Sequence, residues 1–185
     1  NRINALKDVE LEIQEPRLQL ELWDIFPESP MQIGVSHVNL SGISFKLYRL
    51  NLPVESDLLT KISPKTISKY GTLYRQKHFN LPATSDYEMR KDTVTLDGLE
   101  PGLYYALVVP DGHRDAETGA MIHVTGLQMI HRDLPDRKAE IVVLDKRSGH
   151  PVPGAKVNVY AEKDGGYKLK ESFTADAEGV VLFST

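Results

Sequence analysis

Histidine is the residue type in this sequence best suited to metal binding or general base catalysis, and the histidines are widely spaced. No two of them form a His-x-His or His-Glu-x-x-His pair, the spacings that direct two imidazoles at one metal ion. We therefore predict no transition-metal site and expect solvated or strand-end histidines. The six are His37, His78, His113, His123, His131 and His150.

An acidic loop is the second arrangement that could bind an ion. Asp111, His113, Asp115 and Glu117 lie within seven residues, and the three carboxylates among them could offer oxygen ligands to Ca²⁺. The spacing lacks the full acidic set and the bidentate carboxylate that ends a calcium loop. Because loops rich in Asp and Gly commonly form turns by bonding their own backbone, we interpret this segment as a polar turn.

The remaining candidates for catalysis lie in turn-like sequences. They are Asp97 with Glu100, Asp176 with Glu178, and Ser148 with His150. General acid or base catalysis needs a pocket that shifts a pKa, and nothing around these residues indicates one. There is no Gly-x-Ser-x-Gly elbow and no phosphate-binding glycine loop. We predict no enzyme, no catalytic residue, no cofactor and no metal, and the binding residues stay open.

Aromatic residues support a second class of function, a carbohydrate-binding or adhesive module whose exposed rings stack on a ligand. Tyr48 and Tyr160 are predicted to point outward, as such a site requires. Packing on sheet faces or at a domain interface is the favoured interpretation, because Tyr is enriched in both places. An exposed, coplanar pair of rings would favour the carbohydrate hypothesis. The residues considered are Trp23, Tyr48, Tyr104, Tyr105, Tyr160 and Tyr167.

Composition and charge exclude several classes of binding partner and of reactive group. The chain of 185 residues has a net charge of -4 and a pI of about 5.9, so it lacks the basic footprint of a nucleic-acid-binding protein. No run of about 18 apolar residues could insert into a membrane. With no cysteine, the chain has no disulfide and no thiol nucleophile. It opens on Asn1 without an initiator Met or a signal peptide, so we expect a trimmed part of a larger protein.

The last third of the sequence reads as short strands separated by turns. Small or apolar residues alternate with polar ones from Ala155 to Ala161, which predicts a half-buried strand with both of these on its core face. The Asp-Gly-Gly sequence at 164–166 predicts a hairpin turn. The apolar run 180–183 is typical of a strand covered on both faces. A sheet ending there has open edges and an incomplete core, so we expect further sequence downstream.

The first two thirds are also rich in strand patterns. Alternating apolar residues predict strands at 18–22, 31–36 and 43–48, the last two joined as a hairpin. A short helix is predicted at 56–62, inside a long connection, and strand character resumes at 72–81, 87–96 and 120–124. The Leu99-x-Pro101-Gly102-x-Tyr104 sequence is typical of a tyrosine corner, where a Tyr hydroxyl bonds nearby backbone at a strand entrance.

These patterns predict an all-β chain of two immunoglobulin-like β-sandwiches in tandem, the second truncated at its C-terminus. The predicted divisions are a lead-in segment at 1–15, a first sandwich at 16–125 and a second, incomplete sandwich at 126–185. The sequence stays strand-like across Thr125, so the two sandwiches are expected to adjoin with almost no linker.

The order of these motifs resembles the bacterial α2-macroglobulin-like family, whose large surface or periplasmic chains contain rows of macroglobulin-type (MG) β-sandwich domains. The resemblance covers residues 19–185 and includes Asn39 after the second strand. It rests on the strand entrance at 99–104, the Val-Thr-Gly-Leu junction at 124–127, the Gly-x-Pro-Val-x-Gly-Ala strand motif at 149–160 and the Thr-x-Asp-x-x-Gly turn at 174–179.

The resemblance implies a framework role. Full-length relatives are similar to eukaryotic protease traps, in which a protease cuts a bait segment and the chain rearranges around it, often with a covalent link through a Cys-Gln thioester. This chain has no cysteine and no recognisable bait segment, so it resembles amino-terminal MG domains. We expect a non-catalytic framework segment of an envelope endopeptidase inhibitor.

The same resemblance implies partners and a location. The expected partners are neighbouring domains of the parent chain and, through the full-length protein, proteases. The expected location is the bacterial periplasm or cell surface, with a lipoprotein-type anchor in a missing N-terminal region as one option.

Overall fold

The computed structural model of the protein describes residues 15–23, 25–53, 56–82, 86–163 and 166–184. The lead-in segment predicted at 1–15 lies outside the described residues except for Glu15.

The chain falls into two compact units, each made of two stretches of sequence. The first comprises Asn1–Leu52 and Ile62–His123, and the second comprises Pro53–Lys61 and Val124–Thr185. The predicted domain divisions stay a prediction.

Strands make up most of both units, as the alternating sequence predicts. The predicted helix at 56–62 is confirmed as a 3₁₀ helix, Asp57–Lys61, and is followed by a short α-helix, α1 (Ile67–Tyr70). No helix in the described part of the chain is long and apolar enough to cross a membrane. The strands are β1 (Arg17–Leu22), β2 (Met31–Val38), β3 (Gly42–Leu50), β4 (Gly71–Asn80), β5 (Arg90–Leu96), β6 (Gly102–Pro110), β7 (Thr118–Val124), β8 (Leu127–Leu134), β9 (Lys138–Asp145), β10 (Lys156–Lys163), β11 (Gly166–Thr174) and β12 (Val180–Ser184).

The first unit is a sandwich of a three-stranded sheet, ordered β1-β2-β5, and a four-stranded sheet, ordered β4-β3-β6-β7. Its core comes from the apolar positions of each alternating strand, among them Ile33, Phe45 and Val108, which are almost fully buried. Because neighbouring residues of a strand point to opposite faces, the polar residues between them lie on the outer faces of the sheets.

The hairpin predicted between β2 and β3 is wrong. β2 pairs with β1 and β5, whereas β3 pairs with β4 and β6, so the two strands belong to different sheets. Val38 and Leu40, on either side of a left-handed Asn39 (φ 57), are both buried. The connection therefore turns through the core layer instead of along a sheet edge. A period of two shows which residues face inward, but it does not show which strand lies alongside.

The second unit is a smaller sandwich, with a three-stranded sheet ordered β12-β9-β8 and the two-stranded pair β10-β11. Its core is formed by Ile141, Val143, Val157, Ala175 and Val181. The predicted hairpin is confirmed by the antiparallel pairing of β10 with β11, and its turn residues 164 and 165 lie outside the described residues.

Two details of the second unit correct the sequence analysis. The strand at 180–183 is not covered on both faces, because Val181 is buried whereas Leu182 is 58% exposed. It is an edge strand of an antiparallel sheet, which needs only one covered face. Ala161 is exposed and does not lie on the core face. The register between β10 and β11 shifts after Val159, where β11 contains one extra residue, and Ala161 lies beyond this point toward the end of the hairpin.

Candidate functional site

The predicted tyrosine corner is confirmed at the entrance to β6. Tyr104 is completely buried, and its hydroxyl donates a hydrogen bond of 3.0 Å to the backbone oxygen of Glu100. This bond ties the chain segment before β6 to the strand itself. The ring of Tyr74 packs edge-on against Tyr104, with 5.6 Å between ring centroids. The corner therefore fixes the direction in which the chain enters the four-stranded sheet.

Arg49 and Glu100 hold the same corner at the surface. Arg49 lies opposite Tyr104 in the pairing of β3 with β6. Its Nη1 donates to Glu100 Oε2 at 2.9 Å, and its guanidinium lies 5.9 Å from the centroid of the Tyr104 ring. Burial raises the pKa of the Tyr104 hydroxyl, and the Arg49 charge partly opposes that rise. The hydroxyl is therefore a neutral donor at physiological pH.

Two basic side chains close the gap between edge strands β4 and β5. Arg75 lies opposite the buried Leu47, so it points inward, and its Nη1 donates to the backbone oxygens of Asp97 and Gly98, each at 3.1 Å. Lys77 lies opposite the buried Phe45, and its Nζ donates to the backbone oxygen of Thr95, within β5, at 3.4 Å.

These two side chains cover an apolar cavity of about 290 Å³ whose lining includes Phe45, Leu47 and Leu96. Long basic side chains can cover apolar surface with their stems while their charges stay near water. Inward-pointing charges on an edge strand also oppose pairing with a second sheet. We interpret this arrangement as a closure of the sandwich edge.

One of the six histidines lies inside the first unit. His37 is completely buried, and its Nε2 lies 2.9 Å from Asp92 Oδ2, while its Nδ1 has no hydrogen-bond partner. The sequence predicted solvated or strand-end histidines, and His37 is of the second kind, because it is the penultimate residue of β2. The signal was present in the sequence, because Ile33 and Val35 face inward and a period of two makes His37 the next inward position. In the described ranges, no group of three or more His, Cys, Asp or Glu side chains could hold a metal ion.

The acidic loop at 111–117 directs its carboxylates to different partners. Asp111 Oδ2 lies 2.8 Å from His78 Nε2, across the surface of the four-stranded sheet. The loop contains a 3₁₀ turn, Arg114–Ala116. Glu117 lies near Tyr105. Burial is the main cause that raises the pKa of the Tyr105 hydroxyl, and the negative charge of Glu117 adds to it. The arrangement is that of a structured polar turn.

The Ser148 and His150 pair is also part of a turn. Asp145 Oδ1 accepts hydrogen bonds from the backbone nitrogens of Arg147 and Ser148 and from the Ser148 hydroxyl, at 3.1, 2.7 and 2.8 Å. The bonds from Ser148 are the main reason that the pKa of Asp145 lies below its ordinary value. The Ser148 hydroxyl oxygen in turn accepts a 3.3 Å bond from the backbone nitrogen of His150. Asp145, which accepts the hydrogen bonds that close this turn, was not among the site residues predicted from the sequence.

The other two carboxylate pairs are likewise separated. Glu100 pairs with Arg49, whereas the backbone oxygen of Asp97 accepts from Arg75. Asp176 Oδ1 accepts from the backbone nitrogens of Glu178 and Val180 at 3.0 and 2.8 Å, which closes the turn before β12.

Of the six aromatic residues considered, Trp23 and Tyr167 are exposed and the other four are buried or half-buried. Tyr104 and Tyr105 are buried, and Tyr48 and Tyr160 are half-buried. Two ring pairs occur in the described part of the chain, Tyr74 with Tyr104 at an interplanar angle of 61° and Phe173 with Phe183 at 33°. Neither is an exposed coplanar pair, so no contact seen in this part favours carbohydrate stacking.

The arrangement of strands and the tyrosine corner define the class of the protein, a tandem immunoglobulin-like β-sandwich. Its particular form is the macroglobulin-type sandwich, as comparison with solved structures shows. The crystal structure of native alpha-2-macroglobulin from Escherichia coli spanning domains MG0-NIE-MG1 has a TM-score of 0.68 and 14% identity, over 91% of this chain and 57% of that chain.

A second structure of the same protein, spanning domains NIE-MG1, has a TM-score of 0.61 and 12% identity, over 91% of this chain and 88% of that chain. The chain therefore spans little more than half of the first structure and most of the second. No protein-family model and no curated protein matches the sequence. Identities this low show a shared fold, which confirms the fold expected from the order of the motifs.

Proposed function

We propose that this chain is a non-catalytic framework segment of a bacterial α2-macroglobulin-like protein that traps proteases at the cell envelope. The likeness in fold to domains of Escherichia coli alpha-2-macroglobulin, over 91% of the chain, carries this proposal. The tyrosine corner and the Arg75 closure support it, because both stabilise the shape of a sandwich and neither forms a reaction site. The role of the segment is to hold neighbouring domains of the parent chain in position.

Inhibition assays test the proposal. The chain of 185 residues is incubated with trypsin, elastase and thermolysin, and cleavage of casein and of a small chromogenic peptide is followed. We expect no lasting inhibition by this chain. The full-length parent should block cleavage of casein and spare the small peptide, because a protease enclosed by a large chain excludes only large substrates. Lasting inhibition by the 185 residues alone, or none by the parent, would contradict the proposal.

Cell fractionation tests the proposed location. An antibody raised against the described sandwiches should detect the parent chain in the periplasmic or envelope fraction of the source bacterium. Recovery in the cytoplasmic fraction would contradict an envelope role. A chain extracted only by detergent would support anchoring in the membrane.

A further inference from the structure

Three alternate residues of β8 have side chains that can bind a metal ion, and the framework role does not use them. They are Met129, His131 and Asp133, which offer a thioether sulfur, an imidazole nitrogen and a carboxylate oxygen. Each lies opposite a buried residue on the core side of β9. Because directly opposite residues of paired strands point to the same face, the three side chains form one row on one face of the sheet.

The three side chains of this row are accessible. Met129 is 60% exposed, and the side chains of His131 and Asp133 are 49% and 84% exposed. Alternate residues of a strand are about 6.6 Å apart, and one ion can bridge this gap when the thioether and the imidazole turn toward each other. Asp133 Oδ1 lies 3.6 Å from His131 Nε2, so a negative charge is already beside the imidazole.

The other charges of β8 do not oppose a cation at the row. Arg132 is the only Arg or Lys of the strand. It points to the opposite face of the sheet, where its Nη2 lies 2.6 Å from Glu140 Oε1. The β9 residues beside the row are Ala139, Ile141 and Val143, which carry no charge. A cation on this face therefore meets the Asp133 carboxylate without repulsion from either strand.

The same pair of soft ligands occurs in β7. In the triplet Met121-Ile122-His123, Ile122 is buried, so the other two side chains project together from the opposite face, and both are exposed. Two of the four methionines therefore precede a histidine by two residues on an exposed strand face. Residue 125 is a threonine, so this second pair lacks the carboxylate of the β8 row.

We propose that Met129, His131 and Asp133 form a binding site for monovalent copper. Thioether sulfur is a soft ligand that selects Cu(I), and imidazole also suits copper. The spacing of the histidines does not reveal such a site. In the described ranges, no group of three His, Cys, Asp or Glu side chains could hold a metal ion, and the row is compatible with that finding because one of its ligands is a thioether. The site does not depend on the protease-trapping assignment.

Nuclear magnetic resonance tests the proposal. Protein labelled with ¹³C at the methionine methyl groups is titrated with Cu(I), added under nitrogen as its acetonitrile complex, and the four methyl signals are followed. We expect the Met129 signal to shift and the Met121 signal to shift at higher copper concentrations. Met89 is the internal control, because it is 47% exposed and the residue two positions later is Lys91. Its signal should stay in place over the same range.

Variants identify the ligands. His131→Gln should raise the copper concentration needed to shift the Met129 signal at least about tenfold, and Asp133→Asn should raise it about tenfold, as is usual for loss of a carboxylate beside a metal-binding histidine. His150→Gln is the matched control, because His150 is an exposed histidine of the same unit, and it should change nothing. Circular dichroism confirms that each variant is folded.

Three outcomes would overturn the proposal. A shift of the Met89 signal equal to that of Met129 would mean that copper binds any exposed thioether. An unchanged titration in His131→Gln would remove the imidazole from the site. An equal shift of the Met129 signal on adding Zn²⁺ would mean that the row does not select the softer ion.

Discussion

Tyr104 and Glu100 are joined by a 3.0 Å hydrogen bond from the tyrosine hydroxyl to the glutamate backbone oxygen, four residues earlier in the chain. The side chain of Glu100 is held separately by Arg49 at 2.9 Å. One residue of the turn is therefore fixed by its backbone and by its carboxylate. This relationship makes the entrance to β6 a stable point of the first unit, and it gives the framework proposal a physical basis that can be measured.

Removing the Tyr104 hydroxyl should destabilise the first unit. We expect Tyr104→Phe to lower the free energy of unfolding by about 1 kcal/mol, the usual net contribution of such a bond. Urea unfolding followed by circular dichroism measures the change. Tyr87→Phe is the control, since the Tyr87 side chain is exposed, and it should have little effect. Equal stability of the two variants would show that the hydroxyl contributes nothing to the corner.

The same hydroxyl should make stability depend on alkaline pH. Burial raises its pKa above the ordinary value of 10.0, so the native state holds this proton more tightly than the unfolded state does. The stabilisation is complete below pH 10 and is lost as the pH rises through the raised pKa. The unsubstituted protein should lose more stability between pH 9 and about 11.5 than Tyr104→Phe. Urea midpoints across that range measure the difference, and parallel curves would contradict the prediction.

Removing the carboxylate of Asp92, the hydrogen-bond acceptor of His37, should lower the free energy of unfolding. An ionised carboxylate only accepts, so the 2.9 Å contact places a proton on His37 Nε2. In Asp92→Ala both ring nitrogens of a buried histidine lack partners, because Nδ1 has none already. We expect a loss of about 2 kcal/mol in the free energy of unfolding. Asp92→Asn retains an oxygen acceptor and should lose less than half as much, and urea unfolding compares the two variants.

Gly98 should tolerate no side chain. A Cβ added there would overlap the backbone carbonyl of Glu28, which cannot move aside as a flexible side chain could. We expect Gly98→Ala to cost about 2 kcal/mol, a typical cost of overpacking. Thermal unfolding measures this cost. Gly166→Ala is the control, because a Cβ at Gly166 meets nothing within 4 Å, and it should leave the melting temperature almost unchanged.

The inward-pointing charges of β4 should keep the protein from self-association. Replacing Arg75 and Lys77 together by Val removes both charges from the edge and the bonds from Arg75 to backbone oxygens of Asp97 and Gly98. We expect the double variant to form dimers or larger species, because an apolar edge strand pairs with other sheets. Analytical ultracentrifugation measures the association.

The matched control for the edge variant places two valines on the other edge strand. Thr93 and Thr95 are exposed residues of β5 that point away from the core. Thr93→Val with Thr95→Val adds a similar apolar area and removes no inward charge. If this control associates as strongly as the β4 variant, the inward charges are not what protects the edge.

Much of the fold could be predicted from local patterns. The alternation in β2 and β3 identified the inward faces, and the Leu-x-Pro-Gly-x-Tyr sequence identified a corner whose hydrogen bond the structure confirms. The 3₁₀ helix at Asp57–Lys61 lies inside the predicted range. These features depend on residues close in sequence, because side-chain alternation and turn geometry are set within a few residues.

The contacts of the candidate sites could not be predicted in the same way. Arg75 reaches backbone oxygens 22 and 23 residues away, and His37 meets Asp92 across 55 residues. In the sequence, Lys46 is one polar residue of an alternating strand. Only the pairing of β3 with β6 places it beside Leu107. No local pattern encodes which strand lies next to another.

The sequence by itself determined that the chain is built of strands, which faces of those strands are apolar, and where the chain turns. The tertiary structure decided that β2 and β3 lie in different sheets, that His37 is buried, and that Ala161 is exposed. The physical reason is that backbone geometry and side-chain polarity act locally. Strand pairing, by contrast, depends on the free energy of burying distant segments together, and that is settled only when the whole core forms.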